Sequence, residues 1–426
     1  MKRVALALGL VAAGSAAAFA QQPPPAAIVE GSGVKVGEGT VLHPIVGVES
    51  GVIHNVFYEE SQANISGLLR VIAELAFGSL PPERMQAPAE QLPNTRDYGD
   101  LALRGDFGLA YEEYLSSNDD IQSQRNLTGH AQLQGLVNPR RTWQFMFAEG
   151  LRRAHRPVNF ESPNSVDRDI NVLSLGLRFR PQGRTLSGSL TYTNTIDYFE
   201  AEAQQFANRM QHTLGLQVAW QWLPMTRVTG DISWGYFQPF TSESTRVPSF
   251  PLRIKAGIAT SITVKTMANA YVGFGKGFYS EGPDFTNVIG GLQFAYRFSP
   301  QSRVALGYEY DFHDSINANF YRDHVFAARI EQQIDRFGIF AAAELRLREY
   351  RGIITEVMAP ERDRNDLIFA IPISARYNFR DWIAATLDYQ LITDQTDFRY
   401  IPQVGDPMDD PSYTQQQLLL GVRAAY

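Results

Sequence analysis

The chain has 426 residues, no cysteine, 12% aromatic and 19% charged residues, and a formal net charge of −7 that becomes −9 without Lys2 and Arg3. The absence of cysteine excludes a disulfide scaffold, a thiolate zinc site and a cysteine nucleophile, and a pI near 5.6 offers no basic footprint for nucleic acid. The 34 Gly, 19 Tyr and 26 Phe, spread through the chain, suit many strands better than packed helices.

Lys2 and Arg3 precede an apolar run from Val4 to about Ala13 and a small-residue ending, Ala18-Phe19-Ala20. This is the pattern of a secretory signal over residues 1–20, cleaved before Gln21; its apolar core is too short to span about 30 Å as an anchor. Residues 21–40, with Gln21-Gln22-Pro23-Pro24-Pro25 at their start, read as a periplasmic linker. Residues 41–426 read as one barrel domain.

From Val41 the chain alternates with period two in stretches of roughly 12–17 residues, longer than the strands of soluble sheets. Between Asn208 and Trp222, Met210, Leu214, Leu216, Val218, Trp220 and Trp222 share one face, and Gln211, Thr213, Gln217 and Gln221 share the other. The segments begin near Val41, Ile65, Tyr98, Gln122, Arg141, Val166, Arg184, Gln205 and Met225. The rest begin near Phe250, Thr266, Phe285, Ser302, Tyr321, Arg336, Arg364, Asp381 and Tyr413, for a total of eighteen. The expected fold is all-β, an antiparallel up-and-down transmembrane barrel of about 18 strands, an even number as in single-chain bacterial barrels.

Connections alternate in length. Asn138-Pro139-Arg140, Pro181-Gln182-Gly183 and Ser299-Pro300-Gln301 are short, whereas 156–165, 241–249, 351–363 and 395–412 are long and polar. Short turns on one side and long loops on the other predict periplasmic termini. The 80–97 connection is long on the short-turn side and reads either as a periplasmic plug or rim element or as a sign that the second strand is misplaced. Trp143, Phe179, Trp222, Phe298, Phe337, Phe379 and Tyr426 read as the periplasmic aromatic girdle. Tyr111, Tyr198, Tyr236, Phe278, Phe312 and Tyr350 read as the outer one.

Few motifs compete with this architecture. Gly273-Phe274-Gly275-Lys276-Gly277 lacks the Ser or Thr and the following helix of a phosphate loop, and reads as a glycine-rich strand facing a crowded wall. Arg104-Gly105-Asp106 reads as mid-strand, with Arg and Asp inward and Gly toward lipid. Glu309, Asp311, His313, Asp314, Asp323 and His324 gather near one hairpin. Solvated rim charge is favoured there over a divalent-cation site. His212 sits in an apolar series as a structural or interfacial ring. No compact catalytic motif stands out, so neither enzymatic activity, a cofactor nor a metal is expected.

Taking apolar positions as lipid-facing places Arg70, Arg104, Arg152, Arg178, Arg180, Arg253 and Lys255 in the lumen, followed by Arg297, Arg303, Arg329, Arg346, Arg376 and Arg423. With them fall Glu74, Asp106, Asp231, Glu309, Asp311, Glu331, Glu344 and Asp388. Charge on this scale calls for an aqueous lumen, partly braced by Arg–carboxylate pairs. Arg178, Arg180, Arg297, Arg303, Arg376 and Arg423 fall at periplasmic strand ends and would form a basic entrance. The last strand carries Leu418, Leu420, Val422, Ala424 and Tyr426 on one face with Gly421 between. This ending resembles the signal read by the barrel-insertion machinery, with Gly421, Ala424 and Tyr426 as its elements.

The stretch Pro44-Ile45-Val46-Gly47-Val48-Glu49-Ser50-Gly51-Val52-Ile53-His54-Asn55-Val56-Phe57 resembles the start of a family of outer-membrane barrel porins whose first hairpin carries a similar Asn-Val-Phe. Tyr111-Glu112-Glu113-Tyr114 resembles that family's next extended strand, and His54 stands where the family usually has aspartate. The resemblance implies an outer-membrane channel of a Gram-negative bacterium, in contact with outer-membrane lipids, that exports exopolysaccharide alongside periplasmic export components. A general or anion-preferring diffusion porin is the alternative reading, and a rim-active hydrolase the third.

Overall fold

A computed structural model describes residues 33–36, 40–60, 63–79, 100–155, 161, 167–181, 183, 185–240, 247–353, 363–399 and 410–426. The segment expected to be a cleaved signal, most of the expected linker, the 80–97 connection and much of the longest loops lie outside the described residues.

A short strand, β1 (Val34–Val36), pairs with the start of β2 (Thr40–His54). There follow β3 (Ile65–Gly78), β4 (Leu101–Leu115), the single-turn helix α1 (Asp119–Gln122), β5 (Asn126–Val137), β6 (Trp143–His155) and β7 (Asp167–Phe179). Next come β8 (Leu186–Phe199), a 3-10 turn (Glu202–Ala207), β9 (Arg209–Leu223), β10 (Thr226–Pro239), β11 (Ser249–Ser261), β12 (Thr266–Tyr279) and β13 (Phe285–Ser299). The series ends with β14 (Ser302–Asp314), β15 (Ala318–Ile334), β16 (Phe337–Ile353), β17 (Arg364–Arg380), β18 (Ile383–Thr396) and β19 (Tyr413–Ala425).

From β2 to β19 each strand pairs antiparallel with its chain neighbour, and β19 returns to β2 with Gln416 opposite His54 and Ala425 opposite Ile45. The result is a closed barrel of eighteen strands, the number expected from the alternation. Two starts depart furthest from the sequence expectation, both toward later residues. Gln122 belongs to α1 and Gln205 to the 3-10 turn, so β5 begins at Asn126 and β9 at Arg209. Local hydrogen bonding explains the first shift, because Asn118 accepts from the Asp120 amide and caps a helical turn before the strand starts.

Period-two alternation puts one side chain outward and the next inward. Leu214, Leu216, Val218, Trp220 and Trp222 of β9 are exposed on the outside, as are Val288, Leu292, Phe294, Tyr296 and Phe298 of β13. Such exposure continues around the ring and forms an apolar band that water would not tolerate. The strands, at about 3.4 Å per residue and a tilt near 40°, are long enough to cross a roughly 25 Å apolar layer and project beyond it.

Both termini of the barrel lie at one end, called here the terminal end, and the tight turns Pro224-Met225, Pro300-Gln301, Asp335-Arg336 and Asp381-Trp382 lie there too. Asp335 takes φ 49° in its two-residue turn, a left-handed conformation that Asp tolerates. The opposite, loop end carries the longer connections. At the closing seam a Cβ on Gly51 would lie 1.8 Å from the Leu418 carbonyl oxygen. Gly51→Val is therefore expected to remove most of the heat-modifiable folded species on semi-native gels. Gly230→Ala, whose added carbon meets nothing within 4 Å, leaves it unchanged.

Candidate functional site

The lumen is built from alternate residues facing away from the apolar band. At the seam, Arg423 donates to Glu49 at 2.6 and 3.0 Å, and Arg70 reaches Glu49 at 3.3 Å and Glu112 at 2.7 Å. This chain of charges crosses β19, β2, β3 and β4, tying the last strand to the first. Beside it Asp388 accepts from the Ser374 hydroxyl at 2.6 Å, and Glu74 is half-buried on β3. Arg104 donates to Gln134, and His130 Nε2 lies 3.0 Å from Asp106. Gly105 sits between them on the outer face, where an added Cβ would strike the Phe77 ring. Arg152, Arg178 and Arg180 are half-buried. Arg376 donates to Gln333 at 3.0 Å.

Toward the loop end, the carboxylate of Asp311 bridges Arg253 and Lys255, each at 3.0 Å. Tyr271 donates its hydroxyl to Glu309 at 2.8 Å. On the neighbouring strands, where Asp323 stands opposite Asp311, Arg348 grips Asp323 through two parallel bonds of 2.8 and 2.9 Å. Arg346 reaches the same carboxylate at 3.3 Å and also binds Glu344. Arg364 holds Asp366 in a similar fork at 2.9 and 2.7 Å. Arg348 stacks over the Tyr321 ring at 3.8 Å and Arg364 over Tyr350 at 4.6 Å. Arg346, Arg348, Tyr321 and Tyr350 are at most 1% exposed. Buried guanidinium groups require such forked carboxylate partners, since an unpaired charge there is prohibitively costly.

The β14–β15 hairpin does not stand up into solvent. β13 and β14 stay paired only to Gly290–Tyr310, beyond which β14 turns into the lumen. Phe312 then packs on Phe285, Ile289 and Phe320 and lies under Arg253, whose guanidinium is 4.2 Å from its ring. Gly275 and Gly277 make room for it, because a Cβ on either would come within 2.9 Å of the Phe312 ring. The hairpin tip is among the most buried parts of the chain, with Ser315 and Ala318 at 0% and Ile316 at 6% exposure.

That tip spans the mouth. Glu161, from the β6–β7 connection, accepts from the Ser315 hydroxyl and, at 2.8 Å, from the Ile316 amide; its carbonyl accepts from Asn317 at 2.6 Å. In a ring of eighteen the two connections are eight strands apart, one short of diametric, so these bonds cross the opening. Ile316 packs on Phe199 and Ala207 of the β8–β9 region, and Asn319 donates to the Glu281 carbonyl at 2.7 Å.

Below the hairpin the inner wall opens. On β13 both faces are exposed between Leu292 and Phe298, so Gln293 and Arg297 meet open lumen on the inside. Arg297 stands directly opposite Arg303, which is bound to Glu331 at 2.7 and 2.9 Å; Glu331 also holds Arg329.

Several expectations change. Phe312 and Tyr350 belong to no outer girdle: both are 0% exposed inside the barrel. Tyr350 falls in the same alternation as Arg346 and Arg348, and Phe312 is carried inward with its hairpin. The acid and histidine cluster is not solvated rim charge. Asp311 and Asp323 are buried in separate ion pairs, while His324 lies outside, 2.9 Å from the Tyr308 hydroxyl and stacked on Tyr310. His212, also outward, bonds Tyr192 at 2.7 Å and stacks on Tyr236. Sequence reasoning missed Glu161, Arg364, Asp366 and the partnership of Glu49 with Arg423. Alternation does put Arg348 on the polar face with Glu344 and Arg346.

A closed ring of long strands, apolar outside and lined inside with charge, defines a membrane-spanning β-barrel. No family model matches the chain, and no curated protein matches it. Among solved structures it is similar to OccK2 (OpdF) of Pseudomonas aeruginosa, at 9% identity and TM-score 0.44 over 90% of this chain and 98% of that one. It is also similar to OpdK of the same organism, solved with vanillate, at 8% identity and TM-score 0.45 over 90% and 99%. OmpT of Vibrio cholerae aligns over 93% and 100% at 10% identity and TM-score 0.38.

Proposed function

We propose that the chain is an outer-membrane channel for the diffusion of small hydrophilic solutes, admitting anions before cations, with its terminal end in the periplasm. The open wall around Gln293 and Arg297 carries this reading. Gln293 and Arg297 are exposed there, and the guanidinium groups of Arg297, Arg303 and Arg329 outnumber the one carboxylate beside them, Glu331. Fixed positive charge raises the local anion concentration over a Debye length of about 8–10 Å.

Export of a polysaccharide, which the resemblance implies, has weaker support. The β14–β15 hairpin would have to leave the mouth before a polymer could thread it, and its tip is bonded to Glu161 and packed on Phe199. The test is the zero-current potential of the purified protein in planar bilayers under a potassium chloride gradient. Anion selectivity is expected, and cation selectivity or an absence of conductance overturns the proposal.

A further inference from the structure

Arg297 and Arg303 occupy directly opposed positions on β13 and β14, where Cβ atoms of facing residues lie about 4.5–5.5 Å apart and like charges repel. Arg303 meets part of that cost with Glu331, 2.7 Å away. Glu331 is already shared with Arg329, so this carboxylate serves two guanidinium groups and does not engage Arg297. The Arg297 side chain is exposed to the lumen and has no partner among the described residues. Its amide is anchored, donating at 2.7 Å to the carbonyl of Lys265 in the β11–β12 turn. The backbone is thus fixed while the planar fork of donors is left unfilled, and such a fork matches the paired oxygens of phosphate or carboxylate.

We propose that Arg297, Arg303 and Arg329 form an oxyanion-binding station on the channel wall near its terminal end, which takes phosphate or carboxylate groups of passing solutes. The inference rests on the anion-channel reading and deepens it from a diffuse field to a site. Glu331 orients two of the guanidinium groups, and Arg297 supplies the free fork. A solute oxyanion there would neutralise the Arg297–Arg303 repulsion, so occupancy saturates instead of rising in proportion to concentration.

Inorganic phosphate is the probe, added on the terminal-end side of single channels carrying chloride current. Saturable reduction of that current is expected, and Arg297→Gln weakens it about tenfold or more. Arg297→Lys, which keeps the charge and loses the fork, falls between. Arg125→Gln, at the other end of the barrel, leaves it unchanged. Phosphate block that is absent, or equal in the parent and Arg297→Gln, overturns the station. The zero-current potential in chloride alone reads the anion-channel proposal separately, so a selective channel without block discards the station and keeps the channel. Heat-modifiability of each variant confirms that the barrel is folded.

Discussion

Glu161→Ala is expected to open the channel further. The substitution removes the carboxylate that accepts from Ser315 and from the Ile316 amide, and leaves that amide buried without an acceptor. Stranding a buried donor costs about 1–3 kcal/mol, which shifts the hairpin's equilibrium by roughly 5- to 150-fold toward any arrangement that hydrates it. In single-channel records the variant should spend much more time at a higher conductance level than the parent. Glu161→Gln retains an oxygen acceptor and should lie much closer to the parent. Identical traces for Glu161→Ala and the parent would show that the hairpin is held by its apolar contacts with Phe199 and Ala207, and the latch would be discarded.

The second large effect concerns stability. Arg348→Met leaves Asp323 without its two-bonded partner in a place where that carboxylate is 1% exposed. Removing one member of a buried ion pair costs about 3–5 kcal/mol, mostly from the charge left behind. The midpoint of urea unfolding in detergent, followed by tryptophan fluorescence, should fall accordingly. Adding Asp323→Asn removes the stranded charge and should recover much of the loss, although Arg346 then gives up one of its two carboxylate contacts. A midpoint for Arg348→Met that matches the parent would mean that the Tyr321 and Tyr350 packing, not the ion pair, holds this wall.

The two predictions draw on different kinds of information. Arg348 was legible in principle: it follows Arg346 by two residues, and period two sends both to the same side. The same rule gives the outward face of β19, where Leu418, Leu420 and Val422 are exposed and Gln417, Leu419 and Arg423 are buried. Strand number, strand direction and the two faces were therefore written in the sequence, because each depends on side-chain polarity repeated along a single segment. Leu419 marks the limit of the rule, since an apolar residue can also pack inward, as it does with Ile53 and Leu68.

The latch was not legible. Ser315-Ile316-Asn317 is a short polar connection of the kind expected at an exposed hairpin tip. Its burial arises from Glu161 and from Phe199, which are more than a hundred residues away in the chain. The glycines at 275 and 277 hinted at crowding, but only the fold shows that Phe312 fills the space. Likewise, Glu49 and Arg423 meet because the first barrel strand closes on the last. Alternation is a local property and fixes which way a side chain points. The partner it finds across a lumen depends on ring closure and on where a hairpin leaves its neighbour, and the tertiary structure alone decided both.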